Sequence, residues 1–278
     1  MRDLTIVFLA LILLHPCVQV WSQEPETKDD KLAAERLELM QKRIMAAQMT
    51  STEAKFPEKF TEKPVFRYND PARGYVSAAV WKLGDVGRPK ALITTELHKR
   101  FRNGPAIVYE YLSLTPDRFT LRNKDFSWSP NASSLKFEPV PDAPAPDSSA
   151  PRRLLQIKTI ARRFGGSEVA GNEQCELRLL PQPIDRYTPG TAERADGALF
   201  LLTFGTNPEV ALLIESDGKQ WTYAAGRLTG AEKVALTIDG KSAWQGGPLT
   251  YGAMSPYTAS DAPAEIPGFT ADGNEIKN

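Results

Sequence analysis

Apolar residues recur along this chain in two rhythms, one helical and one alternating. The helical rhythm runs first from Lys31 to Met49, where Ala33, Leu37, Met40, Ile44 and Ala47 fall at three- and four-residue steps and form one stripe. Asp30 stands where an N-cap belongs, and Glu38 faces Lys42 one turn on. The other face carries both charge signs, so the stripe predicts a helix packed on the domain or a short coiled-coil spacer rather than a membrane-surface helix. A second helix is predicted over "RRLLQIKTIARRF", with Leu154, Ile157, Ala161 and Phe164 on one face. Ser148 or Ser149 would cap it, Pro151 is tolerated in its first turn, and Gly165 and Gly166 would stop it.

The alternating rhythm predicts two β-rich blocks. The first holds "YVSAAVWKL", "ALITTELHK", "AIVYEYLSL" and "FTLRN"; the second holds "CELRLLPQPIDRY", "GALFLLTF", "EVALLIES", "KQWTYAAGRL" and "KVALTID". β-Branched and aromatic residues dominate these runs, and turn residues separate them. Pro181 and Pro183 mark an edge strand or a kink. Phe56 to Pro71 reads as an extended lead-in, and "EPVPDAPAPDSSAP", Glu138 to Pro151, as a loop of polyproline character. The Gly-, Pro- and Ser-rich tail, 246–278, is expected to be extended or disordered.

Aligning Pro89 with Pro208 brings the two blocks into correspondence. Trp81 falls on Phe200, Leu83 on Leu202, Arg88 on Asn207, Lys90 on Glu209, Ala91 on Val210 and Glu96 on Glu215. Further on, Tyr109 matches Tyr223, Leu114–Thr115 matches Leu228–Thr229, and Trp128 and Trp244 close the segments. This predicts a degenerate duplication, with halves at about 65–130 and 174–245 joined by the Pro-rich loop and helix 149–164; two unrelated antiparallel meanders are the alternative. "LGDVGRPKALITTE", Leu83 to Glu96, offers glycines and cations that suit either an anion cradle or a hairpin turn. Its counterpart "FGTNPEVA" loses the cations and keeps the proline, which favours the turn. The expected fold class is therefore α+β: one β-rich domain, 56–245, of antiparallel β-meanders in two similar halves, with an N-terminal helix and a central basic helix packed against the sheet.

Composition narrows the function. Thirty-four Lys and Arg balance 34 Asp and Glu, which leaves no global field for nucleic acid or an anionic membrane. The opening "MRDLTIVFLALILLHPCVQVWSQE" has an export-signal layout, with Arg2 before the apolar run Leu4 to Leu14 and Val20 and Ser22 ahead of a cut after Ser22. That assigns 1–22 to a signal peptide and 23–55 to a polar leader and amphipathic helix, with the protein in the periplasm or outside the cell. An uncleaved anchor is the main rival, since the run falls short of the about 20 residues a span requires; Pro16 argues against lipidation at Cys17. Once Cys17 and His15 leave, Cys175 and His98 are single, so no intrachain disulfide, Cys/His zinc site or histidine pair can form. A serine triad would have to use His98, and no G-x-S-x-G supports it. "IDGKSAW" lacks the first glycine of a phosphate loop, and Asp239–Gly240 reads as a type I′ turn. No metal or cofactor is expected.

Polar residues set within apolar strands carry the candidate chemistry. These are Glu110, Arg186, Tyr187, Asp196, Glu215 and Arg227. One reading is structural: Glu110 or Glu215 pairs with Arg186 or Arg227, because an unpaired buried charge costs several kcal/mol. The other sets them beside Trp81, Trp221 or Trp244 in a pocket for a sugar or polar small molecule. Two such carboxylates facing across a cleft would be able to act as acid and base, as in a glycosidase. Arg152, Arg153, Lys158, Arg162 and Arg163 form a cationic helix face, either solvated or docking a polyanion, glycan or acidic protein. The preferred function is a non-catalytic exported domain that binds a ligand or protein. The alternatives are a carboxylate-based hydrolase and a purely structural envelope protein.

The segments "GRPKALITTEL", "EYLSLT", "RRLLQIKTIARRF", "ELRLLPQPIDRY", "DGALFLLTFGTNPEVALLIES" and "WTYAAGRLT", closing at Trp244, resemble an uncharacterised family of exported proteins from planctomycete bacteria. The resemblance spans about Phe66 to Trp244. It implies a bacterial exported protein and brings no activity, ligand or catalytic residue with it.

Overall fold

The computed structural model describes residues 27–51, 59–131, 133, 135–190 and 195–276. The signal segment, Cys17, His15 and most of the polar leader lie outside the described residues. Helix α1 (Lys28–Met45) begins before the predicted start because Thr27, not Asp30, is its N-cap. Thr27 Oγ1 accepts the Asp30 N–H at 3.1 Å and the Asp30 carboxylate accepts the Thr27 N–H at 3.1 Å, a reciprocal capping box. The helix also ends earlier than its stripe suggests, and Met49 lies in strand β1 (Gln48–Thr50).

The chain continues through β2 (Phe66–Asp70), β3 (Tyr75–Leu83), β4 (Ala91–Phe101), β5 (Gly104–Ser113), β6 (Thr120–Arg122), β7 (Ser127–Trp128) and β8 (Glu138–Pro139) to helix α2 (Ala150–Ala161). After it come β9 (Phe164–Ala170), β10 (Glu173–Leu179), β11 (Asp185–Tyr187), β12 (Ala195–Phe204) and β13 (Asn207–Asp217). Then follow β14 (Trp221–Arg227), β15 (Lys233–Ile238), β16 (Lys241–Gln245) and β17 (Tyr257–Pro263). The molecule is mostly antiparallel β-sheet with two helices among the described residues, and the long sheet curls.

Two elements, the glycine stop and the tail, depart from the sequence reading. Gly165 and Gly166 do not stop α2, which ends at Ala161; they lie in β9. A Cβ on Gly166 would sit 2.8 Å from Leu202 Cδ2, so glycine there lets β9 cross close over the core. Pro181 and Pro183 separate β10 from β11, and both strands pair with β12 at successive positions along it. The tail supplies β17, which pairs with β5 from Tyr257↔Leu112 to Pro263↔Ala106 and covers its outer edge. The Asp239–Gly240 turn has positive φ at both residues, 50° and 75°, and joins β15 to β16 as predicted.

A five-stranded sheet, in the order β17-β5-β4-β3-β2, packs face to face against the long sheet, whose path runs β16-β15-β9-β10-β12-β13-β14-β8. Three apolar cores result. Met40 and Ile44 of α1 pack with Trp81, Ile93 and Tyr109 on the outer face of the smaller sheet. Ile157 and Ile160 of α2 pack with Phe200, Leu212 and Trp221 on the outer face of the larger one. Between the sheets lie Val80, Leu92, Leu112, Leu199, Leu201, Ala211 and Leu213.

β4 is buried continuously from Ala91 to His98 and β13 from Asn207 to Ser216, so each has both faces covered. Period-two alternation then sorts their residues. Ala91, Ile93 and Leu97 join the α1 core, while Leu92 and, by parity, Thr94, Glu96 and His98 face the other sheet. In β13, Val210, Leu212 and Ile214 join the α2 core, while Ala211 and Leu213 face inward with Glu209 and Glu215 on the same parity. The inter-sheet seam is thus apolar in the middle and ionisable at its ends.

At one end the β3–β4 hairpin closes over the seam. Its turn is the stretch read as either a turn or an anion cradle, and it is both. Arg88 Nε and Nη2 each donate to one Glu215 oxygen at 2.6 Å, and Tyr187 Oη donates to Oε1 at 2.8 Å. Lys82 meets Asp185 beside them at 2.7 Å. Arg88→Met should destabilise the fold by about 2–3 kcal/mol in urea unfolding, since it strands a buried carboxylate while losing a partly solvated guanidinium. Adding Glu215→Gln should recover more than half of that loss; a double variant as unstable as the single would contradict the charge argument.

A carboxylate-lined cleft between the sheets

The other end of the seam stays open. At about 3.4 Å per residue along β13, Glu209 lies about 20 Å from Glu215, and beside it, lined by Asn207 of the same strand, is a cleft of about 870 Å³. β4 contributes Glu96 and His98, β5 contributes Glu110, β9 contributes Glu168, and the β2–β3 turn contributes Arg73. Tyr75 and Asn207 complete the wall together with Thr229.

The carboxylates are held by neighbours from their own and other segments. Glu96 accepts from Tyr68 Oη at 3.0 Å and lies 2.9 Å from His98 Nε2. Glu110 accepts from Tyr257 Oη on the tail strand at 2.7 Å and from Thr94 Oγ1 at 3.5 Å. Arg73 donates to Glu209 at 2.7 Å and to Glu168 at 3.4 Å, with its guanidinium 4.9 Å above the Phe204 ring. Asn207 Nδ2 donates to Glu209 at 2.8 Å, and Thr229 Oγ1 to Glu168 at 3.3 Å.

Three buried atoms in this cluster have no partner: Tyr75 Oη, Asn207 Oδ1 and Glu209 Oε2. Their residues are 2%, 8% and 0% exposed. A buried polar atom left unpaired costs about 1–3 kcal/mol, so three in one place is a feature that stability alone does not favour. Burial, reinforced by the charge of Glu96, pushes the Glu110 carboxyl well above the usual carboxylate range. Burial and the neighbouring Glu168 push Glu209 up to about 7, against the pull of Arg73. Burial and Glu96 likewise raise Tyr68 and Tyr75, and burial and Glu110 raise Tyr257, so these hydroxyls stay protonated donors.

The structure distributes the sequence candidates widely. Only Glu110 lines this cleft. Trp81 and Trp221 are 0% and 1% exposed in the two outer cores, so neither can wall a pocket. Trp244 packs at the edge of the α2 core. Glu215 and Tyr187 hold each other at the closed end. Asp196 accepts from Arg153 at 3.0 Å and from Arg186 at 2.6 Å, so Arg186 does pair with a carboxylate, though not with Glu110 or Glu215. Arg227 reaches backbone carbonyls of Thr229, Ala231 and Gly247 instead of a carboxylate. On the basic helix Arg153 turns inward to Asp196, and Arg163 meets Asp239 at 2.6 Å beyond its end.

Arg73, Tyr75, Glu168, Asn207 and Glu209 escaped the sequence reading. Alternation in "ALITTELHK" was signal enough to set Thr94, Glu96 and His98 on one face, but Arg73 and Tyr257 lie in segments without periodicity. Among the described residues no group of three or more His, Cys, Asp or Glu side chains is arranged to hold a metal ion. Comparison with family models, curated proteins and solved structures returns no match to this chain.

Glu110 and Glu209 keep protons in the folded state at pH values where an unfolded chain, with carboxyls near 4.5, has released them. Their contribution is intact below the unfolded value and is lost as pH rises through the folded one. Unfolding free energy should therefore fall between pH 5 and 8, with a slope approaching about 1.4 kcal/mol per pH unit for each proton held only when folded. Glu110→Gln should flatten that slope. Stability rising steadily over this range would contradict the assignment.

Proposed function

We propose that this is an exported bacterial protein that binds a small polar ligand in the inter-sheet cleft. Two unpartnered buried atoms of residues that line the cleft, Tyr75 Oη and Asn207 Oδ1, carry the reading, because a hydroxyl-bearing ligand would supply the hydrogen bonds they lack. The signal-like N-terminus and the resemblance to exported planctomycete proteins support the compartment. We read the two hairpin halves as a degenerate duplication. In support, Tyr68 donates to Glu96 as Tyr187 donates to Glu215, and the Leu114 and Leu228 N–H groups reach the Lys90 and Glu209 carbonyls at 2.8 Å each.

A second reading is a carboxylate-based hydrolase. It is favoured by Glu110, which meets no arginine or lysine and lies beside Glu96, so that a proton donor and a second carboxyl share one cleft.

Tyr75→Phe separates a binding role from a structural one. Removing an unpartnered hydroxyl should leave the fold as stable or about 1 kcal/mol more stable, while weakening ligand binding about tenfold. The measurement is thermal unfolding of both proteins against a panel of sugars and polar metabolites, with mass spectrometry of the mixtures for turnover. A panel in which no compound stabilises the wild type would favour a purely structural role.

A further inference from the structure

Among the described residues, the other buried carboxylates each meet an arginine or a lysine. Glu215 has Arg88, Asp196 has Arg153 and Arg186, Asp185 has Lys82, Asp125 has Arg43, and Glu168 and Glu209 share Arg73. Glu96 and Glu110 have neither arginine nor lysine. Their hydrogen bonds come from Tyr68, His98, Thr94 and Tyr257.

The two lie as diagonal neighbours on one face of the β4–β5 pair. Glu110 is opposite Thr94, and Glu96 is opposite Val108. Such neighbours have Cα atoms about 7–8 Å apart, a gap that long side chains can close around a small cation. The sequence alignment of the turns sharpens the point. Asn207 occupies the place that Arg88 holds in the other turn, and Arg88 is the residue that neutralises Glu215. Where the closed end of the seam sets Arg88 on Glu215, the aligned position at the open end is a short amide whose Oδ1 is buried and unpartnered, and the one guanidinium there, Arg73, is taken by Glu209 and Glu168.

Resting on the ligand-binding reading above, we infer that the cleft recognises a ligand bearing a primary ammonium group, held between Glu96 and Glu110. The ammonium supplies the missing cation. Its charge displaces the Glu110 proton to solvent, and it then donates one N–H to each carboxylate, which makes charge-assisted hydrogen bonds stronger than those to a neutral hydroxyl. Its third N–H has an unpartnered acceptor, Asn207 Oδ1, on the facing sheet that lines the same cleft. A metal ion would need a convergent donor set, which the described residues do not form. The rest of the ligand is polar, since Tyr75 offers an unpartnered hydroxyl along the wall.

Two sources of a primary ammonium, an amino sugar and a polyamine, are separated by titration calorimetry on the signal-free chain at low salt. The probes are the β-1,4-linked glucosamine disaccharide, its N-acetylated form, cellobiose and spermidine. The glucosamine disaccharide is expected to bind at least tenfold tighter than either uncharged disaccharide, and both Glu110→Gln and Glu96→Gln should abolish that margin. Tight binding of spermidine alone, with the same dependence on both glutamates, would support the ammonium site and assign it to a polyamine. Cellobiose or the acetylated sugar binding as tightly as the amines would overturn the ammonium assignment and leave the ligand-binding reading standing. The same conclusion follows if the amines fail to bind while an uncharged compound stabilises the protein. Amine binding unchanged in both folded variants would also overturn it. If a variant does not fold, the charged-to-uncharged ratio on the wild type decides. Silence from every probe and from the wider panel would remove both readings together.

Discussion

Two strands covered on both faces govern this molecule. Because β4 and β13 have no solvent side, every ionisable residue that alternation places on them is committed to the interior. Glu96, Glu209 and Glu215 are all so placed, and each must be matched or left with a raised affinity for its proton. The matching also fixes register. A slip of one residue would carry these carboxylates out of the seam and into the apolar cores under α1 and α2, away from the arginines and tyrosines that hold them. The ionisable ends of the seam thus act as stops, and the apolar middle supplies the attraction.

The two ends are finished differently. At the closed end Arg88 reaches both Glu215 oxygens, its guanidinium stacks 4.5 Å from the Phe137 ring, and Tyr187 adds a further donor. A side chain at Gly197 would be 2.6 Å from the Tyr187 ring, so glycine there is what lets the tyrosine lie flat against β12. The open end has a single arginine for two carboxyls and tyrosines where cations would do more. A fold selected only for stability gains nothing from orphaned atoms facing each other from the two sheets, Tyr75 Oη on β3 and Asn207 Oδ1 on β13. Unmet hydrogen bonds concentrated in this way mark places where a protein gives up stability for a task.

Much of the architecture was legible. Alternation in "ALITTELHK" and "EVALLIES" located the two central strands, and the stripes at Met40–Ile44 and Ile157–Ala161 located both helices. The proline-aligned turns pointed to Glu96 and Glu215. What stayed hidden depends on long-range meetings. Nothing local says that Arg88 will find Glu215, because the pair spans 127 positions. Tryptophans such as Trp81 and Trp221 look like pocket walls from composition, yet their size makes them natural fillers of a core. Asn207 looks like a turn residue and is one; its importance lies in a cation that is missing, which no pattern of hydrophobicity can register. The Gly and Pro content of the tail hides the run from Tyr257 to Pro263, which becomes a strand because β5 presents an edge for it to join.

The tail strand has a consequence for how the protein comes into being. Tyr257 reaches Glu110 across 147 positions of the chain, and Arg73 reaches Glu209 across 136. A chain synthesised from its N-terminus therefore exposes Glu96 and Glu110 early and completes their surroundings only when its last strand arrives. Non-local closure of this kind is slow, so the cleft is among the last parts to mature. A product ending before β17 would leave Glu110 without the Tyr257 hydroxyl and the β5 edge uncovered, however well its hairpins had formed.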